Sequence, residues 1–208
     1  MVSAIITNSI TNGLSAFVML FCFIGASIHL IRKRQNYTSI YIPVFFLVLL
    51  AMKLLAILVH ALPDGSFTDT LWVVIALLMV FLNYLVTHSM QINSFLRILV
   101  VAISLFFCLF FIKTQNFIYM ALPLGATYLL VASICKSWLR VGFLLIVLSN
   151  VIWIGARYVT EYIIGGTLPI QYRYDNDIYH FLIIIAVVMI YRSIGRYWPL
   201  DQSADKPA

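Results

Sequence analysis

Charge is what this chain is short of. Asp, Glu, Lys and Arg together make up 10% of its 208 residues, where a soluble domain carries roughly a quarter. So little charge rules out water as the main solvent of the fold. Cysteine is scarce as well. Cys22, Cys108 and Cys135 are odd in number and sit in or beside apolar runs, which leaves no disulfide framework or zinc-binding spacing and reads as buried thiol. The chain also lacks a phosphate-binding Walker loop, a G-x-S-x-G elbow and a dinucleotide fingerprint, so nothing points to nucleotide-driven or serine-esterase chemistry. The excess of positive charge, +6 overall, is spread over several short loops. That dispersal excludes the basic stripe of a nucleic-acid partner.

What the chain does have is apolar length. It is 63% hydrophobic with a mean hydropathy of +1.04. Apolar stretches of about 20 residues recur from end to end, each enough to cross a ~30 Å hydrocarbon core. In lipid the backbone must satisfy its own hydrogen bonds, leaving helices or a closed barrel. Barrel strands alternate apolar with polar residues, and these runs do not, so they read as helices. The expected fold is all-α and integral to the membrane, a seven-transmembrane-helix bundle. Its spans fall near 9–31, 39–62, 70–90, 97–112, 117–135, 141–158 and 177–194. Residues 1–198 form one membrane domain, and 199–208 are a polar C-terminal tail. Pro43 falls in a first turn, where its missing N–H does little harm. Pro123 falls inside the fifth run as an expected kink.

Charge placement orients the bundle. Arg32, Lys33 and Arg34 follow the first apolar run, the reverse of a secretory signal, so that run reads as a retained helix. With the N-terminus outside and the C-terminus inside, nine basic residues fall inside (Arg32, Lys33, Arg34, Arg97, Lys136, Arg140, Arg192, Arg196, Lys206). Three fall outside (Lys113, Arg157, Arg173), as the positive-inside rule requires. The partners expected are membrane lipids, in a plasma membrane or a bacterial inner membrane. Interfacial aromatics such as Trp72, Tyr119, Trp138 and Tyr158 form the expected belt at the span ends.

Ionisable groups inside a membrane are functional candidates by default. His60 near the end of span two and His180 near the start of span seven lie at one membrane level. Asp64 follows His60 by four residues and Asp177 precedes His180 by three, offsets that share a helical face. Asp69 opens span three at the same level. Imidazole with carboxylate is a first-row metal ligand set, with zinc the usual occupant. An open zinc position could make a hydroxide nucleophile. The competing reading of each histidine is an interfacial side chain bonded to a carbonyl or a nearby acid. His29 and His88 read as inner-face residues of that kind, and Arg157 with Glu161 as an ordinary ion pair. Lys53, in the middle of span two, needs a polar partner or a wet cavity. Asn83 and Asn150 are the expected partners. A retinal-type Schiff base needs a lysine in the last span, and span seven has none.

Seven spans, an external N-terminus, His60 late in span two, Asp69 opening span three and the lead-in NDIYHF to span seven resemble the CREST superfamily. That group holds the alkaline ceramidases and the adiponectin-type receptors. The resemblance implies a zinc-dependent membrane hydrolase acting on a lipid amide or ester. His60 and His180 would be metal ligands, and Asp69 or Asp177 a ligand or general base. The chain departs from the family pattern in two places. Its S-x-x-x-H falls on Ala56 and His60, without the serine, and its H-x-x-x-H falls on His180 and Ile184, without the second histidine. Asp69 itself comes two residues early. The alternative is therefore a non-enzymatic lipid-binding, sensing or transport protein with a decayed metal site, its polar centre at Lys53.

Overall fold

A computed structural model describes residues 4–33, 40–63, 65–160 and 175–194. Among these residues it contains seven α-helices and no β-strand. They are α1 (Ala4–Lys33), α2 (Tyr41–Ala61), α3 (Ser66–Ser89), α4 (Ser94–Thr114), α5 (Ile118–Ile134), α6 (Ser137–Tyr158) and α7 (Asp175–Arg192). Each matches one expected apolar run. At the starts of α3 and α4 the bound is set by local hydrogen bonds rather than by hydrophobicity. α4 starts at Ser94, before Arg97, because the Asn93 side-chain oxygen accepts the Phe95 N–H at 2.8 Å and gives the first turn its partner. α3 starts at Ser66, where the Gly65 N–H donates to Thr68 Oγ1 at 2.9 Å and that hydroxyl returns a bond to the Gly65 carbonyl. α4 ends at Thr114, and the left-handed backbone of Gln115 after it (φ 53°) turns the chain toward α5. Pro43 lies in the first turn of α2 and Pro123 inside α5, which continues through it.

Each helix packs on the next in sequence, and α7 closes back onto α1. α3 also meets α5 directly, so α4 stands outside the ring. Only Ser104, Cys108 and Phe111 of α4 are buried. Close approach is fixed by small residues. At Gly142 of α6 an added Cβ would lie 2.6 Å from Ile190 Cγ1 and 3.0 Å from the Ala186 carbonyl oxygen of α7. At Gly25 of α1 it would run into the Tyr191 hydroxyl. Polar threads cross the same interfaces. Asn83 Nδ2 donates to Ser104 Oγ at 2.9 Å between α3 and α4. Trp153 Nε1 donates to Asn176 Oδ1 at 2.8 Å between α6 and α7.

The outside of this bundle is apolar. Phe17, Phe21, Ile98, Phe106 and Leu109 are each more than half exposed. A contiguous apolar surface on that scale is foreign to a soluble monomer. Five helices, α1, α2, α3, α4 and α6, are long and apolar enough to cross a membrane. α5 has 17 residues, about 26 Å of helix. α7 carries Asp175, Asp177 and Arg192 within its 18 residues. The length and apolarity of the five point to a membrane-embedded helical protein. All three cysteines are buried free thiols, as their apolar settings imply. The 199–208 tail, Asp64, Glu161 and the loop 161–174 lie outside the described residues.

Candidate functional site

The six-helix ring encloses a cavity of about 390 Å³, within the ~300–1,000 Å³ span of small-molecule sites. Its deep wall is apolar: Met19 of α1, Leu49 of α2, Met79 and Leu82 of α3, Ile146 of α6 and Val187 of α7. Its polar residues gather toward the end of the bundle that holds the α2–α3 and α4–α5 turns. Asn12, Lys53, His60, Asp69, Gln115, Asn150, Arg157, Asn176, Tyr179 and His180 all line it. Chain alternation explains the gathering. The start of α1, the end of α2, the start of α3, the end of α6 and the start of α7 all meet at this end.

The centre of the polar wall is a contact between Lys53 and His180. Lys53 Nζ lies 2.7 Å from His180 Nδ1 and 5.5 Å from the centre of the Tyr179 ring, over its face. Lys53 sits eight residues before the end of α2, about 12 Å along the helix axis. His180 sits in the second turn of α7. α1 lies between these two helices, packed on both, so the lysine stem reaches across the ring interior to make the contact. An ammonium can only donate. With Lys53 protonated, Nδ1 of His180 accepts and the imidazole proton resides on Nε2. His180 is buried. Its ring meets Tyr179 edge-on at 5.2 Å, and Tyr179 sits under the ammonium as a cation–π partner.

The lysine had been expected to find Asn83 or Asn150. Neither is its partner. Asn83 turns away toward Ser104 of α4. Asn150 lines the cavity but gives its amide to the Ile146 carbonyl of its own helix at 2.8 Å. The partner is one of the two histidines singled out for metal binding. Sequence spacing could not reveal this, because the two residues are 127 positions apart on helices that are not ring neighbours. Two further polar groups on the cavity wall went unmarked. Tyr128 Oη and Asn12 Oδ1 are buried and have no hydrogen-bond partner among the described residues. Each was hidden as one more aromatic or amide in an apolar run.

The other expected site residues are placed as follows. His60 lines the cavity mouth, exposed, with its ring edge-on to Trp72 at 5.8 Å. Asp69 lines the same mouth from the first turn of α3. Asp177 is engaged elsewhere. Its Oδ2 accepts the Thr7 hydroxyl at 2.5 Å and its Oδ1 the Thr11 hydroxyl at 2.9 Å, pinning α7 to α1. Arg157 stacks over Trp153, with its charge centre 5.1 Å from the ring, and its expected partner Glu161 is outside the described residues. At the opposite end of the bundle His88 Nδ1 meets the Arg97 guanidinium at 2.6 Å, under Tyr41.

A zinc ion needs three or four convergent donors. Among the described residues no three His, Cys, Asp or Glu side chains gather closely enough to hold a metal ion. One nitrogen of His180 faces an ammonium, and both oxygens of Asp177 are used by threonines. The described residues as placed do not bring together the donors that ion needs. Comparison of the chain with protein-family models, with curated proteins and with solved structures finds no match.

Proposed function

We propose that all seven helices cross the membrane, with the N-terminus outside and the C-terminus inside, and that the central cavity binds a small amphipathic, lipid-like ligand. The protein is then a lipid-binding, sensing or transport protein. The single observation that carries this reading is the Lys53–His180 contact on the wall of a 390 Å³ cavity. A lysine at that depth is costly unless it serves a ligand or a wet space. Replacing it by an apolar side chain would have served packing alone better. The cavity's apolar floor and polar mouth match a molecule with a tail and a head. On this reading the likeness to the CREST superfamily lies in the bundle and its polar end, and not in a zinc centre.

The test is what the cavity holds. Protein extracted from membranes in mild detergent is expected to retain a small apolar molecule, released on denaturation and identified by mass spectrometry. Ala56, on the cavity wall, replaced by Trp should remove it while leaving helix content unchanged. Equal recovery from both proteins would refute the proposal. Stoichiometric zinc, lost when His60 and His180 are both replaced, would favour the hydrolase instead.

A further inference from the structure

We infer that the ligand is a monoanion, an apolar chain ending in a carboxylate that docks on Lys53. This rests on the cavity-binding reading above and names the chemistry of the head group. Among the described residues no carboxylate forms an ion pair with Lys53; its contacts are a neutral imidazole and an aromatic ring. Among the described lining residues Asp69 is the one acid, and it stays at the exposed mouth. Arg157 also reaches the cavity wall, but from the last turn of α6 and stacked over Trp153, so among the described lining residues Lys53 is the cation set deeper, with no carboxylate against it, and a charge there needs a partner.

The donors around that charge fit a carboxylate. With one N–H on His180 Nδ1, the ammonium has two more to give. His180 Nε2–H is a second donor, from α7. Tyr128 Oη, on α5, is a third. Its residue is 1% exposed, it lines the cavity, and its hydroxyl has no partner among the described residues. Tyr128 is held there by stacking on Phe143 at 5.4 Å between centroids. One cation with neutral donors balances one negative charge; a phosphate dianion would need a second cation beside Lys53, and Arg157 is held at the end of α6 over Trp153 instead. Asn12 Oδ1 is an acceptor on α1 and lies outside this donor set. Below these donors the wall is apolar, which suits an alkyl chain and not a small hydrophilic acid.

Trp72 and Trp153 line the cavity and report occupancy. The probe is a terminally brominated undecanoic acid, whose bromine quenches indole fluorescence, set against the brominated undecanol of the same length. Both are added to the full chain in detergent micelles. The acid should quench saturably, be displaced by plain undecanoate, and bind about tenfold or more tighter than the alcohol. Lys53→Met should erase that preference while the alcohol still quenches. Tyr128→Phe, which keeps the ring and loses only the hydroxyl, should weaken the acid several-fold and leave the alcohol unchanged. It serves as the second variant if Lys53→Met does not fold. Equal binding of acid and alcohol by the unsubstituted protein, or a preference that survives Lys53→Met, overturns the anion inference and leaves the cavity reading standing. Absence of saturable quenching by either probe overturns both.

Discussion

Asp177 shows how a residue's chemistry is decided by what its helix packs against. Three residues before His180, it had every appearance of a partner for that imidazole. Its carboxylate instead takes two threonine hydroxyls from α1. Hydrogen bonds to a charged group contribute about 1.5–3 kcal/mol when shielded, and less at a partly exposed rim. Asp177→Ala is therefore expected to lower stability by about 2 kcal/mol in a reversible denaturant titration in detergent. Thr11→Val should cost less alone and little more on top of Asp177→Ala. Additive losses would show that the three side chains do not act together. The depth of Lys53 and His180 was legible in the chain, because charge and imidazole stand out in apolar runs. Their pairing was not. It depends on a ring closure that places α7 on α1, and no local pattern encodes that.

At the scale of the helix, apolar length locates all seven elements, and local capping bonds set the starts of α3 and α4. The second run, expected over 39–62, became Tyr41–Ala61, and the sixth gained a turn at its start, opening at Ser137. Hydrophobicity located the runs but missed the starts of α3, α4 and α6, where polar residues continue the helix. Sequence patterning was also silent on which faces meet. At Gly142, α6 lies close against α7. Gly142→Ala pushes a methyl group against Ile190 and the Ala186 carbonyl, and overpacking of this kind costs about 1–3 kcal/mol. Gly155, further along the same helix, has open space where a Cβ would go, so Gly155→Ala should be neutral or gain up to about 1 kcal/mol from helix propensity. Melting of the two variants side by side checks the pair. A Gly142→Ala protein as stable as Gly155→Ala would mean that α6 and α7 do not pack as described.

For the whole molecule, the ring of six helices with α4 outside turns an apolar chain into a vessel with an apolar skin. Lipid-facing side chains such as Phe17 and Leu109 point out. The polar groups that remain are gathered on one internal wall near one end. The bundle and its polar end were readable from the chain, and the vessel was not, since a cavity is made of what the packed helices leave empty. The candidate metal ligands His60, Asp69 and His180 all reach this cavity, yet the partner His180 meets there is an ammonium. That contact is the observation on which the proposed lipid-binding reading rests. A density map of the unsubstituted protein in a lipid nanodisc, at side-chain resolution, tests it most directly. The account predicts Lys53 Nζ within hydrogen-bond distance of His180 and elongated non-protein density running from them down the apolar wall. Lys53 turned out toward lipid, with the ring interior closed over by side chains, would contradict it.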